Sequence, residues 1–131
     1  MLLVDTSVWI DWLGRRKRPG AALLDAMLDT ELIGLPAVVL QELLQGASNP
    51  ERAARIEGYF SRLAILLPTT RTYADAGMLY ARCRWAGITP RSPHDCLIAQ
   101  HALERDAVLL HDDADFERIG RIAPGLRLLR G

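Results

Sequence analysis

Met1-Leu2-Leu3-Val4-Asp5-Thr6-Ser7-Val8-Trp9-Ile10-Asp11-Trp12-Leu13-Gly14 changes its periodicity at a single acidic residue. Ahead of Asp5 the chain is an unbroken apolar run, the pattern of a strand buried on both faces. Behind it Val8, Trp9, Trp12 and Leu13 recur at helical spacing, with Thr6 as a cap and Gly14 as a stop. The same alternation continues outward. Helical patterns cover Leu23–Leu28, Ala37–Gly46, Glu51–Leu63 (opened by Pro50) and Thr72–Trp85, the last with Tyr73, Ala76, Leu79, Tyr80 and Cys83 on one face and Gly87 as its stop. Short apolar runs at Glu31–Leu35, Leu66–Pro68, Ala107–Leu110 and Leu126–Leu129 read as strands. Ser92-Pro93-His94-Asp95 announces a further helix, with Ser92 at the N-cap, Pro93 in the first turn and Asp95 at the capping-box position. Asp112–Ile119 reads as a short helix before the final strand. Strands alternating with amphipathic helices predict an α/β fold, a parallel sheet with helices on its faces. Sites in such folds lie outside the carboxyl ends of the strands.

The chain has 131 residues, half of them hydrophobic, with 16 basic residues balancing 16 acidic ones. That length predicts one domain, residues 1–131, and the composition excludes a disordered tail. The longest apolar run, Leu63–Leu67, is far short of a membrane span. Asp5 interrupts the N-terminal apolar run, so no signal peptide is expected and a cytoplasmic location follows. Cys83 and Cys96 are too few for a disulfide framework or a zinc site. Lys17 is the only Lys among the basic residues. Arg suits phosphate binding, and Arg15-Arg16-Lys17-Arg18 reads either as a nucleic-acid patch or as a solvated loop.

The acids expected at the strand ends carry the chemistry. Asp5 follows the first strand, Asp113 and Asp115 follow the Ala107–Leu110 strand, and Asp95 opens a helix. Capping is the ordinary role for an Asp in such places, whether Asp5 or Thr6 caps the first helix and Asp112 or Asp113 the last short one. Glu42 is different, because it lies at the margin of a stripe formed by Val39, Leu40, Leu43 and Leu44, where a carboxylate needs a partner. Gathered at one sheet edge, two carboxylates about 4 Å apart repel by roughly 4 kcal/mol at an effective dielectric of 20. Oxygen-only ligands of this kind point to Mg²⁺ or Mn²⁺ rather than zinc.

Four blocks resemble the motifs of PIN-domain nucleases, in particular the VapC toxins of bacterial type II toxin–antitoxin pairs. They are Leu3–Asp11, Val39-Leu40-Gln41-Glu42-Leu43, Ser92-Pro93-His94-Asp95-Cys96-Leu97-Ile98-Ala99 and Leu109-Leu110-His111-Asp112-Asp113-Ala114-Asp115-Phe116. The resemblance spans essentially the whole chain. It implies a PIN-like three-layer α/β/α fold with a short, mostly parallel central sheet of about four to five strands. It implies a Mg²⁺- or Mn²⁺-dependent endoribonuclease with Asp5, Glu42 and Asp95 as the core acids. Asp113 is the fourth acid, with Asp115 as its alternative or an additional ligand. Thr6, Ser7 and Ser92 are implied as supporting hydrogen-bonding residues, and Arg15, Arg16, Lys17, Arg18 and Arg91 as contacts for the RNA backbone. Asp11 belongs to the first block, but its place two turns down the helix predicts a structural pairing.

The resemblance further implies a homodimer and inhibition by a cognate VapB-type antitoxin, giving a hetero-oligomer. The antitoxin groove would be lined by Trp9, Trp12 and Leu13, although a large aromatic at helical spacing such as Trp9 is ordinarily core. His94, His101 and His111 are expected to be non-catalytic, with His101 a helix-packing residue. Two other readings compete. A phospho-aspartate mechanism at Asp5 needs a second Asp two positions on, where this chain has Ser7. A catalytically inactive PIN-like module that binds nucleic acid or a regulator would gain by losing the mutually repelling acids.

Overall fold

The computed structural model describes residues 1–131. Five strands, β1 (Leu2–Val4), β2 (Ile33–Pro36), β3 (Ala64–Leu66), β4 (Val108–His111) and β5 (Arg127–Arg130), form one sheet in the order β3-β2-β1-β4-β5. Every pairing is parallel. Seven helices connect them: α1 (Thr6–Leu13), α2 (Pro19–Met27), α3 (Ala37–Gln45), α4 (Pro50–Phe60), α5 (Thr70–Trp85), α6 (Pro93–Arg105) and α7 (Ala114–Ile122). From β1 the chain winds outward to β2 and β3, then crosses back to β4 and winds the other way to β5. Right-handed crossovers therefore put α1–α4 on one face and α5–α7 on the other, the three-layer α/β/α arrangement. The topological switch falls between β1 and β4, where Leu3 pairs with Leu109 and Val4 with Leu110. Asp5 leaves β1 at this point, its amide donating to Leu110 O at 2.9 Å.

The core is continuous across the sheet. Leu2, Leu3, Val4, Leu35, Leu109 and Leu110 are buried in the strands, with Val8, Trp9, Phe60, Leu79, Ile98 and Phe116 packed on them from both faces. Trp9 is fully buried and meets Phe60 edge-on at 4.8 Å between ring centroids. It is thus a core residue and not a wall of an open groove, whereas Trp12 and Leu13 are partly exposed. Trp85 is 75% exposed.

Several boundaries differ from the sequence reading, each for a local reason. Of the two caps open for α1, Asp5 and Thr6, it is Asp5 that takes the N-cap position, but its side chain makes no capping bond. The capping box expected at Ser92 is absent: Ser92 Oγ accepts from the His94 amide at 3.1 Å, leaving Asp95 free of a capping role. A true capping box opens α5 instead, where Thr69 and Thr72 satisfy each other's amides and start the helix two residues earlier than expected. The buried stripe of α5 is Thr72, Ala76, Leu79 and Cys83, so Tyr73, 59% exposed, does not belong to it. The α4 helix ends at Phe60, and β3 lies two residues before the expected run, leaving Leu67 71% exposed ahead of Pro68. Asp113 caps α7, its Oδ1 accepting from the Asp115 amide at 2.9 Å. Asp11 pairs with Arg16 at 3.1 Å and with Arg18 at 3.7 Å, the structural role expected of it.

Candidate active site

The acids come to the switch point from four directions. Asp5 arrives on the end of β1, Asp113 and Asp115 on the turn from β4 into α7, Asp95 on the first turn of α6 and Glu42 on α3. Helices α3 and α6 touch across the rim of the sheet, which carries Glu42 from one helical layer to Asp95 in the other. Carboxylate oxygens of Asp95, Asp113 and Asp115 lie within 4.8 Å of one another. This tightest grouping is not the trio of Asp5, Glu42 and Asp95 that the resemblance puts first. Asp5 and Glu42 stand around it, close enough for their charges to act on Asp95.

The acids differ in what holds them. Asp5 is 7% exposed, and its Oδ2 accepts from Ser7 Oγ at 2.7 Å. Burial raises its pKa; the Ser7 hydroxyl and Thr6 amide oppose the rise, and the Glu42 and Asp113 charges add to it. Glu42 Oε1 accepts from Thr6 Oγ1 at 3.1 Å, while Oε2 lies 3.9 Å from His94 Nδ1. Thr6 and Ser7 thus each hydrogen-bond one of the acids. Ser92 Oγ accepts the His94 amide as the cap of α6. Asp115 is enclosed by donors: the Arg91 amide at 3.1 Å, Arg91 Nε at 3.3 Å and Arg118 Nη1 at 2.8 Å. Burial acts to raise its pKa, but these donors outweigh burial and hold the carboxyl below its ordinary value. Asp113 Oδ2 receives Arg91 Nη2 at 2.5 Å.

Asp95 has no such help, and no donor reaches its carboxylate. Burial, followed by the charges of Asp5, Asp113, Asp115 and Glu42, pushes its pKa up to about 7. A carboxylate left in that state is one whose environment calls for a cation. The surrounding donors are carboxylate oxygens and the Thr6 and Ser7 hydroxyls, a hard-oxygen set that fits Mg²⁺ or Mn²⁺. Asp115, with both oxygens already engaged, offers that ion the least.

Arg118 and His111 were not singled out for the site by sequence. Arg118 follows Asp115 by one helical turn, a spacing that could have flagged the pair. His111 is fully buried, and its Nδ1 accepts the Asp113 amide at 3.1 Å, which sets the turn carrying that acid. Its Nε2 is buried 3.5 Å from Glu117 Oε1. His101 is buried in α6, away from the acids' hydrogen bonds, in the packing role expected. Cys83 and Cys96 are free, buried thiols. A cleft of about 810 Å³ lies elsewhere, between α1 and α2, floored by Trp12 and Leu13 and rimmed by Arg15, Arg16, Lys17 and Arg18. No helix is long and apolar enough to cross a membrane.

A parallel sheet with acids gathered at its switch point defines the class, and the chain belongs to the PIN domain family, whose sequence model matches residues 2–122. Within that family its likeness is to VapC proteins. It is 32% identical over 125 residues to Ribonuclease VapC11 of Mycobacterium tuberculosis, covering 93% of each chain. It is 36% identical over 106 residues to the tRNA(fMet)-specific endonuclease VapC of Salmonella typhimurium, covering 77% of this chain and 76% of that one. Among solved structures, DNA-bound VapBC from Salmonella typhimurium matches with a TM-score of 0.75 at 29% identity, covering 98% of this chain and 96% of the other.

Proposed function

We propose that the protein is a Mg²⁺- or Mn²⁺-dependent endoribonuclease toxin, a PIN domain spanning residues 1–131. The observation that carries this reading is Asp95, a carboxylate without a donor, ringed by four other acids. The relatives named a ribonuclease and a tRNA endonuclease support RNA as the substrate class. Asp5, Glu42, Asp95 and Asp113 would hold the cation, with Asp115 as an outer member tied to the protein's own guanidinium groups. A divalent cation in this position supplies Lewis-acid polarisation of a phosphate oxygen and a more acidic water. The chain's contribution is preorganisation. Ser7 and Thr6 fix the carboxylates of Asp5 and Glu42, the α7 cap fixes Asp113, and the apolar layers beneath keep the acids from spreading apart. Hydrolysis of the phosphodiester would leave 5′-phosphate and 3′-hydroxyl ends. Arg15, Arg16, Lys17, Arg18 and Arg91 would hold the RNA backbone without reading its sequence.

The VapBC likeness supports a VapB-type antitoxin as partner. The cleft floored by Trp12 and Leu13, with its basic rim, is where an antitoxin segment would lie; Trp9 supports that floor from beneath. A homodimer in the cytoplasm, forming a hetero-oligomer with antitoxin, completes the reading. Purified protein incubated with total RNA is expected to cut it in Mg²⁺ or Mn²⁺ and to stop cutting in EDTA. Undiminished cleavage in EDTA would contradict the metal mechanism, and RNA binding without cleavage in either metal would favour the inactive binding module.

A further inference from the structure

Arg91 stands apart from the other groups that hold the acids. Its amide and its Nε both reach Asp115 Oδ2, at 3.1 and 3.3 Å, and its Nη2 reaches across to Asp113 Oδ2. The two acids it joins are unlike, since 7% of the Asp115 side chain is exposed against 22% of the Asp113 side chain, and the Arg91 side chain itself is 77% exposed. One end of the residue is thus anchored at a buried carboxylate while its guanidinium lies in solvent over an acid expected to bind the cation. Arg91 immediately precedes Ser92, the cap of α6, and so rides on the segment that delivers Asp95. Arg118 supplies the contrast, since it pairs with Asp115 alone.

We propose that Arg91 is an internal counter-cation of the acidic cluster, which a divalent cation displaces from Asp113 and which then presents its guanidinium to a phosphate of the RNA. The inference rests on the metal-dependent nuclease reading. Displacement is feasible because the Arg91–Asp113 pair is largely solvated on the arginine side, and exposed ion pairs are weak. The residue would not drift away when displaced, because its amide stays bonded to Asp115 and Arg118 keeps Asp115 in place. A planar guanidinium held at the mouth of the cluster is well shaped for two phosphate oxygens.

The test compares Arg91→Gln and Arg118→Gln with the unmodified protein, using Mn²⁺ alone and reading its affinity by electron paramagnetic resonance without RNA. Arg91→Gln is expected to bind Mn²⁺ roughly fivefold more tightly, the size of one weak ion pair removed, with a smaller change for Arg118→Gln. At saturating Mn²⁺, the KM of Arg91→Gln for RNA should rise by a larger factor than its kcat falls. Unchanged or weaker Mn²⁺ binding in Arg91→Gln, or equal tightening in Arg118→Gln, overturns the counter-cation role. An unchanged KM overturns the phosphate contact. If the unmodified protein itself binds no Mn²⁺, the metal-nuclease reading fails and takes this proposal with it.

Discussion

Asp95→Asn is expected to abolish RNA cleavage while making the cation-free protein more stable above neutral pH. The loss of activity should be on the order of 10³-fold, the rate equivalent of the several kcal/mol a bound divalent cation contributes. The gain in stability follows from the environment of Asp95. In the folded protein it keeps its proton up to about pH 7, against an ordinary value of 3.8. Between those two pH values the native state binds more protons than the unfolded chain, so stability falls as pH rises through that window. Asn has the same shape and no charge to bury. The difference in unfolding free energy between Asp95→Asn and the unmodified protein should therefore widen in favour of the variant from pH 4 to pH 8. Allowing for partial solvation, it should reach on the order of 1–2 kcal/mol. Urea denaturation in a chelating buffer at the two pH values measures it. A variant that still cuts RNA, or one less stable than the parent at pH 8, would contradict the role given to Asp95.

Trp9→Ala is expected to cost about 3–5 kcal/mol of stability, a large part of the 5–15 kcal/mol typical of a domain. Trp9 is fully buried on α1 against Trp12, Tyr59 and Phe60, and its amide donates to Asp5 O at 3.2 Å. Removing the ring leaves a cavity under the helix turn that carries Asp5, Thr6 and Ser7. Trp9→Phe should cost much less, because the indole Nε1 has no hydrogen-bond partner and its loss forfeits none. Midpoints of urea unfolding separate the two variants. A loss below about 1 kcal/mol for Trp9→Ala would mean that the ring is not the core anchor described.

Much of this was legible in the chain because apolar runs ending in acids leave few choices. Met1–Val4 followed by Asp5, and Ala107–Leu110 followed by three Asp within five residues, mark strand ends in any parallel sheet, and all five expected strands form. The helix starting at Ser92-Pro93 was equally plain. What escaped was set by contacts between distant segments. Nothing local to Arg91 says that its guanidinium will bridge Asp113 and Asp115, which lie on the far side of α6 in sequence. His111 belongs to a strand buried on both faces, where alternation no longer distinguishes an inward side chain from an outward one. Tyr73 fits the apolar stripe by spacing, but Thr72 takes the buried face of α5, its hydroxyl donating to Glu104 on α6, and Tyr73 is left in solvent. The sequence motifs name the acids; their division into donor-bound members and one bare member, Asp95, is visible only in the folded chain.

Crystals of the protein soaked in Mn²⁺ and measured near the manganese absorption edge test the central claim most directly. The expected result is an anomalous peak in contact with Asp95 and at least one of Asp5, Glu42 and Asp113, lost in Asp95→Asn crystals. No peak among these acids at millimolar Mn²⁺, or one only at unrelated surface carboxylates, would contradict the account.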